Sequence, residues 1–221
     1  MTSQLDDREL IERLKRLYTG VVADALDKIG YRDQVMHRSV KPLDPNMVVA
    51  GRARTAWAAE IHHEPAEPWL LIRQMIDSLK PGDVVVVAIR ETRDSANWGE
   101  LCSTAARAKG CHGIVLDGCL RDSRRIIDLG FPAFSIGLTP ADDQYRTEWV
   151  SIDKPVRCGG VSLQPGDYVL GDRDGVVVVP AKVIEGVLRV GEAKVNREDT
   201  TRSELEQGVP LREVFQKHST L

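Results

Sequence analysis

Four consecutive segments, WGELCSTAARAKG (98–110), CHGIVLDG (111–118), CLRDSRRIIDLGF (119–131) and PAFSIG (132–137), decide the fold class. The first has an amphipathic helical pattern that starts at Gly99-Glu100 and stops at Gly110. The second is a short apolar run closed by a Gly turn, which reads as a buried strand. The third opens another helix and the fourth another strand. Just upstream, KPGDVVVVAI (80–89) begins with a Pro-Gly turn and runs on as β-branched strand without alternation, the mark of burial on both faces. Strand–helix–strand–helix–strand is the grammar of parallel pairing through crossover helices, so the chain belongs to the α/β class. Ligands in such sheets bind where strand C-termini meet helix N-termini.

Toward the N-terminus, WLLIRQMIDSL (69–79) is an amphipathic helix entered from a loop framed by Pro65 and Pro68. MVVAGRARTAWAAEI (47–61) alternates as a strand with a Gly-Arg interruption. Residues 7–18 carry Leu10, Ile11, Leu14 and Leu17 at helical spacing. Thr19 is expected to cap a second helix, VVADALDKIG (21–30), closed by Gly30. Asp24 is the one acid on its apolar stretch and is expected as a solvated or capping carboxylate. Toward the C-terminus, residues 156–180 break into short strands at Gly159-Gly160, Pro165-Gly166-Asp167 and Asp174-Gly175, the chemistry of an antiparallel meander. The Pro-Gly-Asp pattern at 81–88 recurs at 165–170, too little for a repeat. Residues 181–199 and 203–219 read as helices, broken at Gly208-Val209-Pro210. No Pro/Ser-rich linker or charge block divides the chain, so one domain over 1–221 is expected, with its core at about 15–195 and a helical tail at 196–221.

Composition narrows the function classes. The 221 residues, 42% hydrophobic and 29% charged, describe a globular chain. At this length folding removes roughly 70% of the unfolded surface from water, so no disulfide staples are needed. Thirty Lys+Arg against thirty-three Asp+Glu leave a net charge of −3, no field for binding nucleic acid. No apolar run approaches the roughly 20 residues of a spanning helix. MTSQLDDREL (1–10) has neither the basic nor the apolar region of a secretory signal. Cys102, Cys111, Cys119 and Cys158 form no CxxC pair and no zinc spacing, which implies reduced thiols and a cytoplasmic setting.

Two elements carry candidate chemistry. Arg121-Asp122 follows the turn Asp117-Gly118 at a strand's C-terminal end. An Arg there offers a planar fork to a carboxylate or a developing enolate. The adjacent Asp offers a hard oxygen ligand suited to Mg²⁺ or Mn²⁺ held largely through water. Arg-Asp also occurs at Arg93-Asp94 and Arg173-Asp174, and alone it reads as a surface salt bridge or helix cap. Gly99-Glu100-Leu101-Cys102 sits at a helix start, where free N–H groups bind anions and Gly admits a ligand to the backbone. Glu100 alone simply complements the helix dipole. Both elements fall on the ligand-binding edge.

Residues 98–137 resemble the RraA-like family, which includes 4-hydroxy-4-methyl-2-oxoglutarate aldolases, oxaloacetate decarboxylases and a regulator that inhibits ribonuclease E. DALDKIG (24–30), LKPGDVVVVA (79–88) and CGGVSLQPGDYVLGDRDGVVVVP (158–180) extend the resemblance over roughly residues 15–195. It implies an α/β/β layered architecture, also described as a swivelling domain, with helices at both ends. The aldolase branch has an acid, twenty intervening residues and then Arg-Asp; Glu100, 101–120 and Arg121-Asp122 keep that spacing, with Glu for the more familiar Asp. The regulator branch has Gly at the acidic position and an acid three residues after the Asp, where this chain has Glu100 and Arg125.

The resemblance implies a divalent-metal-dependent pyruvate aldolase that also decarboxylates oxaloacetate. Gly99, Glu100, Leu101 and Cys102 would line the pyruvoyl end, with the amides of Leu101 and Cys102 as donors. Arg121 would bind the 2-oxo acid and stabilise the enolate, and Asp122 would anchor Mg²⁺ or Mn²⁺, mostly through water. Glu100 is the expected general base. The partners implied are a small 2-oxo acid and further copies of the chain, in a homotrimer or hexamer with sites between subunits. Two other readings go with the scaffold: an idle ring that binds a protein partner, and a diverged enzyme of other enol chemistry. ETRDSAN (91–97) and Arg124-Arg125 leave room for the latter. Arginines facing the site would imply a di- or tricarboxylate substrate; on the outer helix face they would be solvated.

The remaining features carry less. His62-His63, as strand neighbours, would point to opposite faces. His37 and His112 have no spacing partner. Cys102 is expected to act through its backbone, and GDRDG (171–175) reads as turn chemistry rather than a calcium loop.

Overall fold

The run Asp83–Ile89 is buried at every residue, and its alternate side chains feed two different cores. Val84, Val86 and Ala88 enter one, while Val85, Val87 and Ile89 enter the other. The sheet is therefore a wall between two apolar layers, and an unbroken β-branched sequence is what such a strand requires.

The computed structural model describes residues 6–89 and 94–218. In chain order the elements are α1 (Asp7–Lys15), α2 (Thr19–Lys28), β1 (Lys41–Pro42), β2 (Val49–Glu60), α3 (Leu70–Ser78), β3 (Asp83–Ile89) and α4 (Glu100–Ala108). They continue with β4 (Gly113–Leu116), β5 (Cys119–Leu120), α5 (Ser123–Leu129), β6 (Ala133–Ser135), β7 (Gly137–Leu138) and β8 (Thr147–Ile152). The last are β9 (Val156–Cys158), β10 (Val161–Leu163), β11 (Tyr168–Asp172), β12 (Gly175–Val179), α6 (Ile184–Glu206) and α7 (Leu211–His218).

The main sheet runs β1-β6-β4-β3-β2-β11-β12, with β8 also on β2. Strands β6, β4, β3 and β2 are parallel, as the crossover pattern requires; β11 and β12 are antiparallel. A bridge between Val35 and Val177 and the bond from Val178 N to Gln34 O (2.9 Å) bring the segment before β1 onto β12. The sheet nearly closes on itself. Inside it lie Met36, Val49, Phe134, Leu163 and the inward valines of β3 and β12. Helices α3, α4 and α5 cover one outer face. Helices α1, α2 and α6 cover the β2–β11–β12 face.

Several local expectations give way to tertiary context. β2 runs through Gly51-Arg52 without a break, because Gly51 lets the Gly82 carbonyl pass; a Cβ there would sit 2.3 Å from that oxygen. Thr19 is the first residue of α2 rather than its cap, and its N–H and hydroxyl both donate to Asp172, at 2.8 and 2.7 Å. Asp172 Oδ1 also accepts from Asp174 N at 2.9 Å, so the GDRDG turn serves as a helix cap supplied from β11. Cys119 and Leu120 pair with β7 before the helix opens at Ser123. Asp24 is ion-paired to Lys194 of α6. The two helical stretches expected at 181–199 and from 203 join, α6 running unbroken from Ile184 to Glu206 before the chain turns at Gly208-Val209-Pro210.

Candidate active site

The parallel strands β3, β4 and β6 end at one edge, and the loops that leave them are laced together by backbone bonds. Ala96 N donates to Ala141 O (2.9 Å), Asn97 N to Cys119 O (3.1 Å) and Arg121 N to Trp98 O (3.1 Å). A buried polar chain, Asn97–Thr147–Ser95, fixes the same loop from below. Trp98 stacks on Trp149 and bonds Ser103 Oγ through its indole N–H (2.9 Å). Gly99 and Arg121-Asp122, 22 residues apart, therefore meet on rigid supports.

Their contact is close. A Cβ on Gly99 would lie 2.8 Å from Asp122 Oδ2 and 3.2–3.3 Å from Arg121 Cγ and Nε, so any other residue would displace the two side chains that cross it. Asp122 takes a left-handed backbone (φ 58°), uncommon for a residue with a side chain. Although it opens α5 by position, its Oδ2 accepts from Glu100 N (3.2 Å), the first amide of the neighbouring α4. Its Oδ1 has no hydrogen-bond partner among the described residues. The amides of Leu101 and Cys102 lie in the first turn of α4, where no intrahelical acceptor exists, and no described group accepts from them.

Arg121 is held between two acids. Its Nη1 ion-pairs Asp142 Oδ2 at 2.8 Å, and its Nε lies 3.7 Å from Asp122 Oδ2. Pairing with Asp142 raises its already high pKa. Asp142 and Asp143 are the functional candidates missed in the sequence, where ADDQ (141–144) offered only adjacent acids in a loop. Asp142 Oδ1 accepts from Asp143 N (2.7 Å), and Asp143 Oδ1 from the Trp69 indole N–H (2.8 Å). Burial pushes the Asp143 carboxyl up to about 7, reinforced by the neighbouring Asp142. Asp142 feels the same burial, but hydrogen bonds from Asp143 and Arg121 outweigh it and hold the carboxyl below its usual range.

The other sequence candidates divide. Glu100 places its carboxylate on Thr104 of its own helix (2.8 Å) and lines neither cleft beside Arg121. Burial pushes the Cys102 thiol up to about 11, so it stays protonated despite the helix N-terminus. His62 and His63 lie beyond the end of β2 in an exposed bend. His37 and His112 bond Ser39 Oγ and Ala50 O, each at 2.8 Å. Of ETRDSAN, residues 91–93 lie outside the described residues.

Two clefts flank Arg121. One, of about 550 Å³, is mainly apolar and is lined by Trp69, Ile72, Ile76, Leu101, Cys102 and Asp143 among others. The other, of about 630 Å³, is lined by Arg121, Asp122, Ser123, Arg124, Arg125 and Leu138 with their neighbours. Among the described residues no three His, Cys, Asp or Glu side chains cluster as a closed metal site. A single free carboxylate oxygen at Asp122 beside open space suits a hard cation that keeps most of its waters, as Mg²⁺ does.

The family model described as RraA-like, Aldolase/RraA, matches residues 19–178. The chain belongs to the RraA-like family. Among its relatives is a protein of Halalkalibacterium halodurans, provisionally named a 4-hydroxy-4-methyl-2-oxoglutarate aldolase. The two are 33% identical over 186 residues, which cover 84% of this chain and 83% of that protein. Among solved structures, RraAS2 of Streptomyces coelicolor, described as an unusual member of the RNase ES inhibitor RraA family, superposes with a TM-score of 0.81. Its identity is 30%, with 90% of this chain and all 100% of that one covered. A structure described as one of a set of novel cellulases from gut-associated microbes gives a TM-score of 0.83 at 28% identity, covering 90% of this chain and 91% of that one. The RraA-like fold, with helices at both ends, is thus shared at full domain length. No helix among the described residues is long and apolar enough to cross a membrane.

Proposed function

We propose that this RraA-like chain is a divalent-metal-dependent lyase that cleaves a 4-hydroxy-2-oxo acid of the 4-hydroxy-4-methyl-2-oxoglutarate type to pyruvate, and that it also decarboxylates oxaloacetate. One observation carries the reading: Arg121 and Asp122 cross Gly99 at the mouth of α4, beside the unclaimed amides of Leu101 and Cys102. That arrangement brings anion donors, a guanidinium and a free carboxylate oxygen together at the start of one helix, with Arg121 on both adjoining clefts.

In retro-aldol cleavage the C4 hydroxyl loses its proton, the C3–C4 bond breaks, and the electron pair passes to C3 as the pyruvate enolate. A proton then returns to C3. Oxaloacetate needs no such deprotonation: its C4 carboxylate departs as CO₂, the C3–C4 pair passes to C3 as the same enolate, and a proton then returns to C3. The Leu101 and Cys102 amides bind the C1 carboxylate, and Arg121 puts positive charge where the enolate oxygen develops it. A divalent cation held by Asp122 would supply Lewis acidity to the 2-oxo group.

Proton traffic needs a carboxyl that changes charge near neutrality. The geometry favours the Asp142–Asp143 pair over Glu100, because Asp143 lines the cleft with Arg121 and its carboxyl is pushed up to about 7. The exposed apolar side chains around the clefts, Leu101 at 78% exposure and Leu138 at 55%, support a neighbouring subunit of a homotrimer or hexamer covering them.

The test is pyruvate release from 4-hydroxy-4-methyl-2-oxoglutarate and from oxaloacetate, each with Mg²⁺, Mn²⁺ or excess chelator. Chelator-sensitive release is expected, with kcat lowered about 10²- to 10³-fold in Arg121→Ala and Asp122→Ala. Release that survives both chelator and substitutions would overturn the proposal. A folded wild-type protein that binds the metal and releases no pyruvate would shift the weight to other enol chemistry and then to a partner-binding ring.

A further inference from the structure

Most of the apolar cleft beside Arg121 has no task in the proposed cleavage. It is a groove between two helices, lined by Ile72 and Ile76 of α3, by Leu101 and Ala105 of α4, and by Trp98. Ile72, Ile76 and Trp98 are buried members of one apolar core and still border the groove, so packing fixes its surface. Both helices start at its polar end. Trp69, just before α3, bonds Asp143, and Gly99, just before α4, meets Arg121 and Asp122. From there Ile72 to Ile76 and Leu101 to Ala105 each step four residues farther along, about 6 Å. Away from the polar end, the charged lining residues are Arg73 and Asp77 of α3, both exposed. A volume of about 550 Å³, mainly apolar and with its polar groups converging at one end, has the form of a small-molecule site.

Building on the lyase reading, we propose that this groove binds an apolar substituent on C4 of the substrate, so that the chain cleaves 4-hydroxy-2-oxo acids carrying an alkyl chain or aryl ring there to pyruvate and an apolar carbonyl product. The amides of Leu101 and Cys102 and the Arg121 guanidinium take the carboxylate and oxo group at the polar end. The C4 hydroxyl then faces the Asp142–Asp143 pair, and the C4 substituent is left with the groove. The methyl group of 4-hydroxy-4-methyl-2-oxoglutarate enters only its beginning. In 4-hydroxy-2-oxo-4-phenylbutanoate the hydroxyl proton passes to that pair and the C3–C4 bond breaks, its electrons going to C3. C4 becomes the aldehyde carbon of benzaldehyde, and C3 takes up a proton to give pyruvate. The substituent stays buried throughout, so the groove binds ground and transition states alike and acts on KM more than on kcat. A neighbouring copy that covers Trp69 and Leu101 would roof the groove over the substituent.

The experiment compares wild type with Ala105→Trp, which fills the groove, and Ala105→Glu, which sets a charge on its wall. Ala105 is exposed on α4, so both variants should fold. Calorimetry in the presence of Mg²⁺ measures binding of pyruvate, 2-oxohexanoate and 2-oxo-4-phenylbutanoate, none of which has a 4-hydroxyl to cleave. Wild type should bind 2-oxohexanoate about 30- to 60-fold more tightly than pyruvate, three buried methylenes at about three- to fourfold each, and the phenyl acid at least as well. In both variants that ratio should fall below about fivefold. In parallel, KM for 4-hydroxy-2-oxo-4-phenylbutanoate should rise about tenfold or more relative to KM for oxaloacetate, which has no substituent to place in the groove. Tailed acids that bind wild type no more tightly than pyruvate, as a groove filled by a second copy would require, would overturn the proposal. So would failure to bind any of the three, a preference intact in both variants, or cleavage of 4-hydroxy-4-methyl-2-oxoglutarate without cleavage of the phenyl substrate. If wild type prefers the tailed acids, the variants lose that preference and no hydroxy acid is cleaved, the groove stands and the lyase reading falls.

Discussion

At the scale of single residues, the site depends on a glycine and on two acids. Gly99→Ala would place a methyl group 2.8 Å from Asp122 Oδ2 and against the stem of Arg121. Both side chains are partly exposed and can swing aside, so the cost should fall on function rather than folding. Pyruvate release is expected to drop at least about tenfold with Tm changed by no more than a degree or two, since a misplaced catalytic group costs far more in rate than in stability. A fully active Gly99→Ala would show that the crossing is incidental. Asp143 has a signature of its own. Its folded-state pKa lies above that of an unfolded aspartate, so between about pH 4 and about 7 the folded chain holds a proton the unfolded chain has released. Stability from this group therefore falls as pH rises through that window. Asp142, whose pKa is lowered, acts in the opposite sense, its contribution being lost only as pH falls below the ordinary carboxylate range. Asp143→Asn should flatten the fall in Tm between pH 4.5 and 7; an unchanged slope would mean that Asp143 is ionised throughout.

At the scale of elements, what could be read from the chain depended on whether the deciding partners were local. The run 83–89 is buried on both faces, so its composition alone specifies a central strand. Gly99 and Arg121-Asp122 were legible as site candidates because each lies at a helix start on the connection that leaves a parallel strand, where the pattern puts ligands. Asp142-Asp143 was not, because its meaning comes from Trp69 and Arg121, 74 and 21 residues away in sequence. The start of α2 was misread for the same reason. Thr19 fits a local cap, yet the acceptor that satisfies this helix start is Asp172 on β11. Removing it in Asp172→Ala leaves the Thr19 N–H and hydroxyl and the Asp174 amide without their acceptor. A loss of about 1–2 kcal/mol in urea unfolding is expected, the cost of a lost cap, with pyruvate release unaffected because β11 does not line the clefts. A loss below a few tenths of a kcal/mol would mean water replaces Asp172 at no cost.

At the scale of the whole molecule, the three apolar layers account for the packing within one chain but not for its outer surface near the site. Trp69 and Leu101 rim the apolar cleft, and Leu138 lines the arginine-bearing one, with 40%, 78% and 55% of their surfaces exposed. Single exposed apolar side chains are ordinary on a monomer, but three gathered on two adjoining clefts are the surface on which the proposed assembly of identical chains is tested. In a closed ring of identical chains the same patch is buried in every copy, so one substitution acts at each interface at once. Leu101→Glu would set a charge in the middle of that patch while leaving the backbone amide of residue 101 in place. Native mass spectrometry should find wild type as a trimer or hexamer and the variant shifted toward monomer. Pyruvate release should fall in step with the loss of assembly and recover at higher protein concentration. A wild-type monomer with full activity would place the complete site within one chain and leave the exposed leucines without a partner.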